Sequence, residues 1–325
     1  MRQVNNYIFL LIGLLAITSA ITHAGASLED GIAFFEAGRY SQAEEVFQEL
    51  IQKQPDDTQA ILYLGRVFYE RKEYDSAIDQ FEETVAINDE TSDHHFWLGA
   101  VYGRKAQKAS IFKRIGLAKK TKRGFLRAIE LNPDHVRARE ALVRFYLQAP
   151  GIVGGSKKKA YLEAEEIKKR DSLWAHKAYA RIYKDEEEFT RAEGEYLAAI
   201  EEDPADPDFR YLLNDLYYMT EEYGKASQLL EKMLIELPDE VSVLFEIGRL
   251  GAASGENLVR AEECLEDYLK SETVESDPAF DRAHYYLGQI YQKGGKIDQA
   301  KAEYQQVLKL NPKHKQAKKA LKRID

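Results

Sequence analysis

Gly31, Gly65 and Gly99 stand 34 residues apart, and the same interval separates Ala43 from Ala77, Phe47 from Phe81 and Pro204 from Pro238. A fixed period of this length makes the chain a stack of like units, none of which can bury its apolar side alone. The composition names the kind of unit. Only 8 Pro and 20 Gly in 325 residues, with 31% of residues charged, suit long solvated helices rather than a strand-rich sandwich. The 20 Tyr and 14 Phe supply enough apolar matter for a core.

The repeated positions fall into blocks. Leu64-Gly65 is followed by Phe68, Ala77 and Phe81, and Leu98-Gly99 by Tyr102, Phe125, Ala128 and Pro133. The clearest block is Leu287-Gly288 with Tyr291, Ala300, Tyr304 and Pro312. Small residues sit where two helices cross closely, aromatic residues fill the space beside them, and Pro ends the second helix. In these residues the chain resembles the tetratricopeptide repeat family. The resemblance implies an all-α fold, a right-handed superhelical solenoid of helix-turn-helix repeats with a C-terminal capping helix. Eight units are expected within residues 27–312, beginning near Ser27, Thr58, Thr91, Val136, Leu173, Pro207, Val241 and Asp281, with residues 313–325 as the cap. The units near Val136 and Val241 are degenerate. A loop holding Pro150, Gly151, Gly154 and Gly155 takes up five extra residues between Tyr146 and Ala160.

Residues 1–26 differ in kind. Arg2 precedes an apolar-to-small run from Tyr7 to Ile21, and Ala24-Gly25-Ala26 offers small residues for cleavage. This pattern predicts a signal peptide, with an uncleaved N-terminal membrane anchor as the alternative. Both place the repeats outside the cytoplasm, in a bacterial periplasm. Cys264 has no partner for an internal disulfide and reads as a small buried hydrophobe among Glu262, Glu263 and Glu266.

Two surfaces are candidates for function. In the third unit Tyr102 and Phe125 lie 23 residues apart, against 13 between Phe68 and Phe81. This insertion, about 103–124, is basic. Arg104, Lys105, Lys108, Lys113, Arg114, Lys119, Lys120, Lys122, Arg123 and Arg127 occur with no acid among them, while Phe112, Ile115 and Leu117 interrupt the charge. It reads either as longer helices with solvated faces or as a docking site for an acidic protein, an anionic lipid or a glycan, the lipid or glycan through Lys113, Arg114, Lys119, Lys120, Lys122 and Arg123. Residues 27–99 hold 17 acids and 5 bases, so the insertion can also pair with that acidic arm. A nucleic-acid stripe is disfavoured by secretion.

The second surface is implied by the resemblance, in which the first helix of each pair lines a concave groove that holds ligands. The residue after the repeat Gly faces it: Arg66 and Arg249, with Arg144 and Arg181 in equivalent places. Helical spacing adds Leu62, Tyr69, Phe96, Lys177, Tyr211, Tyr218, Phe245 and Tyr285. Arg beside Tyr suits carboxylates and extended peptides. The paired Lys and Asn of chaperone-binding relatives are not present in that arrangement.

Residues 149–157 only brush against a phosphate-binding loop, because Ser156 stands where the second Gly is required. His94 and His95 are adjacent on a helix and point about 100° apart, so neither a shared metal nor a cofactor is expected. No nucleophile–base constellation emerges. The reading is a non-catalytic scaffold that holds a protein or peptide partner.

Overall fold

The computed structural model describes residues 27–271 and 280–324, and the signal reading of residues 1–26 lies outside them. Among the described residues there are 17 α-helices, packed as eight pairs and a final single helix. The pairs are α1 (Leu28–Glu36) with α2 (Tyr40–Lys53), α3 (Thr58–Glu70) with α4 (Tyr74–Ile87), and α5 (Ser92–Lys108) with α6 (Ile111–Leu131). They continue as α7 (Val136–Gln148) with α8 (Lys157–Lys168), α9 (Ser172–Asp185) with α10 (Phe189–Glu202), and α11 (Asp208–Met219) with α12 (Tyr223–Glu236). The last are α13 (Ser242–Ser254) with α14 (Leu258–Lys270) and α15 (Phe280–Lys293) with α16 (Ile297–Leu310), before the single helix α17 (Lys315–Ile324).

The missing side chains of the repeat glycines let each pair close. A Cβ on Gly65 would stand 2.5 Å from Phe81 Cε1, and one on Gly31 would stand 2.4 Å from Phe47 Cε1. Phe47 and Phe81 are fully buried in the space so left. Five of the three-residue turns inside pairs pass through one left-handed residue: Gly38, Lys72, Glu187, Glu221 and Gly295. Three of these carry a side chain, at a cost of about 1 kcal/mol each that the packed pair has to offset.

Each helix packs on the next along the chain, and α1 with α3, α3 with α5, α7 with α9 and α13 with α15 also touch directly. These contacts bring odd-numbered helices together on one side of the stack. The stack runs on past Gly154-Gly155, because α8 packs on both α7 and α9. A 3-10 turn, Gly151–Val153, fills the α7–α8 connection, with Val153 buried. Gly155 is obligatory there, since a Cβ would lie 1.7 Å from the Ala149 carbonyl oxygen. The basic insertion is helical. It lengthens α5 to 17 residues and α6 to 21, against 13 and 14 in α3 and α4. Cys264 is buried, and burial pushes its thiol up to about 11.

Candidate partner-binding face

The face presented by the odd-numbered helices is knitted by side-chain contacts between several of them. At its N-terminal end Arg66 of α3 is enclosed by rings, with Tyr63, Phe35 and Trp97 at 4.4, 4.6 and 5.0 Å from its guanidinium carbon. Its Nε is buried and makes no hydrogen bond. Arg137 of α7 lies over Phe96 and Trp97 of α5 at 4.8 and 5.3 Å. Arg137 keeps an exposed surface, but the rings strip part of the water from its guanidinium, and that desolvation, with the charge of Arg66 adding to it against that of Asp93, lowers its pKa. Tyr69 packs edge-on to Trp97 at 5.7 Å, and its hydroxyl accepts a hydrogen bond of 2.9 Å from Arg104 Nε. Arg144 follows on α7 beside Arg104, lining the same cleft. None of Arg66, Arg104, Arg137 and Arg144 makes an ion pair among the described residues, while aromatic rings or hydroxyls support the first three.

Further along, the same face neutralises its own charge. Arg181 Nε donates to Glu140 Oε1 at 2.9 Å. Arg249 Nη2 lies 2.7 Å from Asp215 Oδ1 and 2.6 Å from Glu246 Oε2, and its guanidinium rests 4.4 Å from the Tyr218 ring. Burial raises the pKa of Glu246 even against the attraction of Arg249. A cleft of about 310 Å³ opens here, lined by Tyr211, Asp215, Glu246, Arg249 and Arg282. Lys177 Nζ sits 4.9 Å over the Trp174 ring, and Tyr285 packs on His314 at 5.0 Å.

Helical spacing alone would put Leu62, Phe96 and Phe245 on this face, and the structure buries all three, with 5, 7 and 6% of their surfaces exposed. The reason is the following helix: Arg137 covers Phe96 and Arg282 covers Phe245, at 4.8 and 5.3 Å. Both arginines are exposed and present the charge in place of the ring. Sequence reasoning missed them. The available signal was their common place, one residue after the start of the fourth and eighth units.

On the other side of α6 two separate features of the sequence meet. Lys122 Nζ lies 2.7 Å from where a Cβ on Gly154 would be, and Lys119, Lys120, Arg123, Ile152 and Val153 line the same groove of about 800 Å³. Part of the insertion pairs with the acidic arm. Lys105 is bonded to Asp75, and Lys120 Nζ lies 3.8 Å from Glu82 Oε1 while donating to the Tyr102 hydroxyl at 2.9 Å. Arg114 donates to the Ala109 carbonyl at 3.2 Å. Lys113, Lys119, Lys122 and Arg123 make no ion pair among the described residues. At the start of α6, Ile111 and Phe112 are 68 and 90% exposed. His94 and His95 each bond a backbone carbonyl, of Asn88 and Asp89, at 2.9 and 2.7 Å. No cluster of His, Cys, Asp and Glu among the described residues is arranged to hold a metal.

A stack of helix pairs with one charged and aromatic face is a helical-repeat module of the kind that typically holds other proteins. The chain belongs to the tetratricopeptide repeat family: models of that repeat match residues 28–101, 178–241 and 281–314, together more than half of it. No curated protein matches it. Among solved structures it is similar to a thermophilic tetratricopeptide repeat protein of Thermus thermophilus, at 19% identity and a TM-score of 0.52 over 59% of this chain and 97% of that one. It is also similar to a tetratricopeptide repeat protein of Parabacteroides merdae, at 16% identity and 0.50 over 91 and 96%. Yeast Tom70 matches at 15% identity and 0.63, over 89% of this chain and 58% of its own. At these identities the likeness is one of fold.

Proposed function

We propose that the protein is a non-catalytic scaffold whose inner face, from α1 to α7, holds an extended acidic segment of a partner protein. One observation carries this reading: Arg66 and Arg137 converge on Trp97, and neither makes an ion pair among the described residues, although Asp93 lies near enough to act on Arg137. Unpaired guanidiniums backed by rings recognise carboxylates by bidentate bonds and stacking. The more distant arginines, Arg181 and Arg249, already have their carboxylates, so the acidic segment belongs at the N-terminal end. We further propose that the scaffold works in a bacterial periplasm, on the strength of Arg2, the run from Tyr7 to Ile21 and Ala24-Gly25-Ala26. A phosphatase fused after Asp325 would be active only outside the cytoplasm, which checks that placement.

Trp97 and Trp174 are the two tryptophans of the chain, so a Trp174→Phe variant leaves Trp97 as the reporter. Acetylated peptides alternating Asp and Leu should change its emission saturably, and the same peptides with Lys for Asp should not. An equal response to the Lys peptides, or an unchanged response in the Arg66→Gln/Arg137→Gln double variant, removes this reading.

A second reading is favoured by Phe112 and Ile111, exposed beside the unpaired Lys113 and Lys119. An apolar tip ringed by lysines suits the surface of an anionic bilayer better than a glycan, which offers nothing for Phe112 to enter. Vesicles of phosphatidylglycerol should sediment the protein and vesicles of phosphatidylcholine should not. Phe112→Ser should release it; undiminished sedimentation of that variant excludes the tip.

A further inference from the structure

A third site lies between α5, α6 and α7. Because α5 and α6 run beyond the helices before them while α7 stops ahead of Pro150, the overhang leaves an open cleft of about 470 Å³. Its size is that of a small-molecule pocket, typically 300–1,000 Å³. The walls include Ala118, Phe125 and Phe145, and the last two are almost wholly buried. Three guanidiniums reach it from three helices: Arg104, Arg114 and Arg144. No Asp or Glu lines it. Arg104 is held by the Tyr69 hydroxyl at 2.9 Å and Arg114 by the Ala109 carbonyl at 3.2 Å, so both are positioned before any ligand arrives. Neither partner is an anion, and Arg144 makes no ion pair among the described residues.

We infer that this cleft binds an apolar group carrying a carboxylate. The chemistry divides the ligand. Apolar walls favour the removal of a hydrocarbon or aromatic body from water at about 25 cal/mol per Å². Three unneutralised guanidiniums over that floor place an anionic head at the mouth, where bidentate bonds to a carboxylate are available. A cationic amphiphile would meet three like charges. Two sources share this chemistry: a free fatty carboxylate, or the C-terminal residue of a partner chain with an apolar side chain. The cleft adjoins the Arg66–Trp97–Arg137 cluster through Tyr69 but is lined by neither Arg66 nor Arg137, so variants of those two arginines separate this inference from the acidic-segment reading.

Titration calorimetry of residues 27–325 with decanoate, decanol and decyltrimethylammonium tests the head group. An acetylated pentapeptide ending in Leu, with a free or an amidated terminus, tests the second source. Saturable one-to-one binding of decanoate or of the free-terminus peptide is expected, and the ligand that binds identifies the source. Decanol, decyltrimethylammonium and the amidated peptide should bind at least tenfold more weakly. Arg144→Gln should weaken binding about tenfold, and Ala118→Trp should abolish it by filling the cleft with every arginine in place. The α-helical circular dichroism of both variants should be unchanged. Arg66→Gln/Arg137→Gln should bind decanoate normally. The inference is overturned if neither carboxylate binds saturably, if decanol binds as well as decanoate, or if both cleft variants, folded, bind as the parent does.

Discussion

The guanidiniums of Arg66 and Arg137 rest on one ring, that of Trp97, at 5.0 and 5.3 Å from its centroid. Two cations sharing an aromatic surface with no anion between them repel each other in a medium less polar than water. The rings return part of that cost, since a guanidinium over an aromatic face gains about 0.5–1 kcal/mol. The charge of Asp93 near Arg137 offsets a further part.

That repulsion is measurable without a ligand. In a double-mutant cycle of Arg66→Gln and Arg137→Gln followed by urea unfolding, the first removal should relieve the second residue. The coupling energy is expected to be repulsive and about 0.5–1 kcal/mol. A coupling of zero or of attractive sign would show that the two charges do not sense each other.

Two glycines of α6 should respond to alanine with opposite signs. A Cβ on Gly116 meets nothing within 4 Å, so Gly116→Ala should stabilise by up to about 1 kcal/mol through helix propensity. A Cβ on Gly124 would lie 2.7 Å from Gly99 Cα and 2.8 Å from the His95 carbonyl oxygen. Both are backbone atoms that cannot rotate away, so Gly124→Ala should destabilise by about 3 kcal/mol. Thermal unfolding followed at a helical wavelength distinguishes them.

Asp93 Oδ1 of α5 lies 3.3 Å from His135 Nε2 at the start of α7. The hydrogen-bonding interaction with His135, and then the nearby cations, hold its carboxyl below the usual range against some desolvation. A carboxylate depressed by folding adds stability above its unfolded pKa, and that stability is lost as pH falls through the folded value. Asp93→Asn should therefore lower the urea midpoint at pH 7, and the difference should shrink as the pH falls below the usual carboxylate range. The effect is small because the side chain is half exposed. A difference independent of pH would contradict it.

Cys264 offers a probe of opening. Its thiol is buried and raised to about 11, so little thiolate forms at pH 8. Alkylation by iodoacetamide at pH 8 should be slow in the native protein and become fast across the urea transition. Rapid labelling of the native protein would mean that α14 opens readily.

The stacking of this chain was legible because one cause repeats. Gly31 against Phe47 and Gly65 against Phe81 recur at a fixed interval, so sequence alone shows where helices cross. The charged face was only partly legible. Helical spacing fixes which residues of one helix share a direction, but Phe96 and Phe245 are covered from the next helix, and Arg137 and Arg282 belong to other units. The meeting of Lys122 with Gly154 follows no period at all, since it depends on how far α6 overhangs the α7–α8 turn. The three-arginine cleft was hidden for the same reason: Arg104, Arg114 and Arg144 come together only when the lengths of three helices are compared in space.

Because the helices pack in succession along the stack, a pull on the two ends would load the interfaces in series. The apolar interior is divided unevenly: one long cluster, a second around Tyr304, and a small one made of Ala43, Phe47, Leu64 and Val67. The smallest holds α1, whose Phe35 is one wall around Arg66. Loss of α1 would take that wall from Arg66 and leave the other helix pairs in place, which ties the proposed contact at Arg66 to the first pair of the stack.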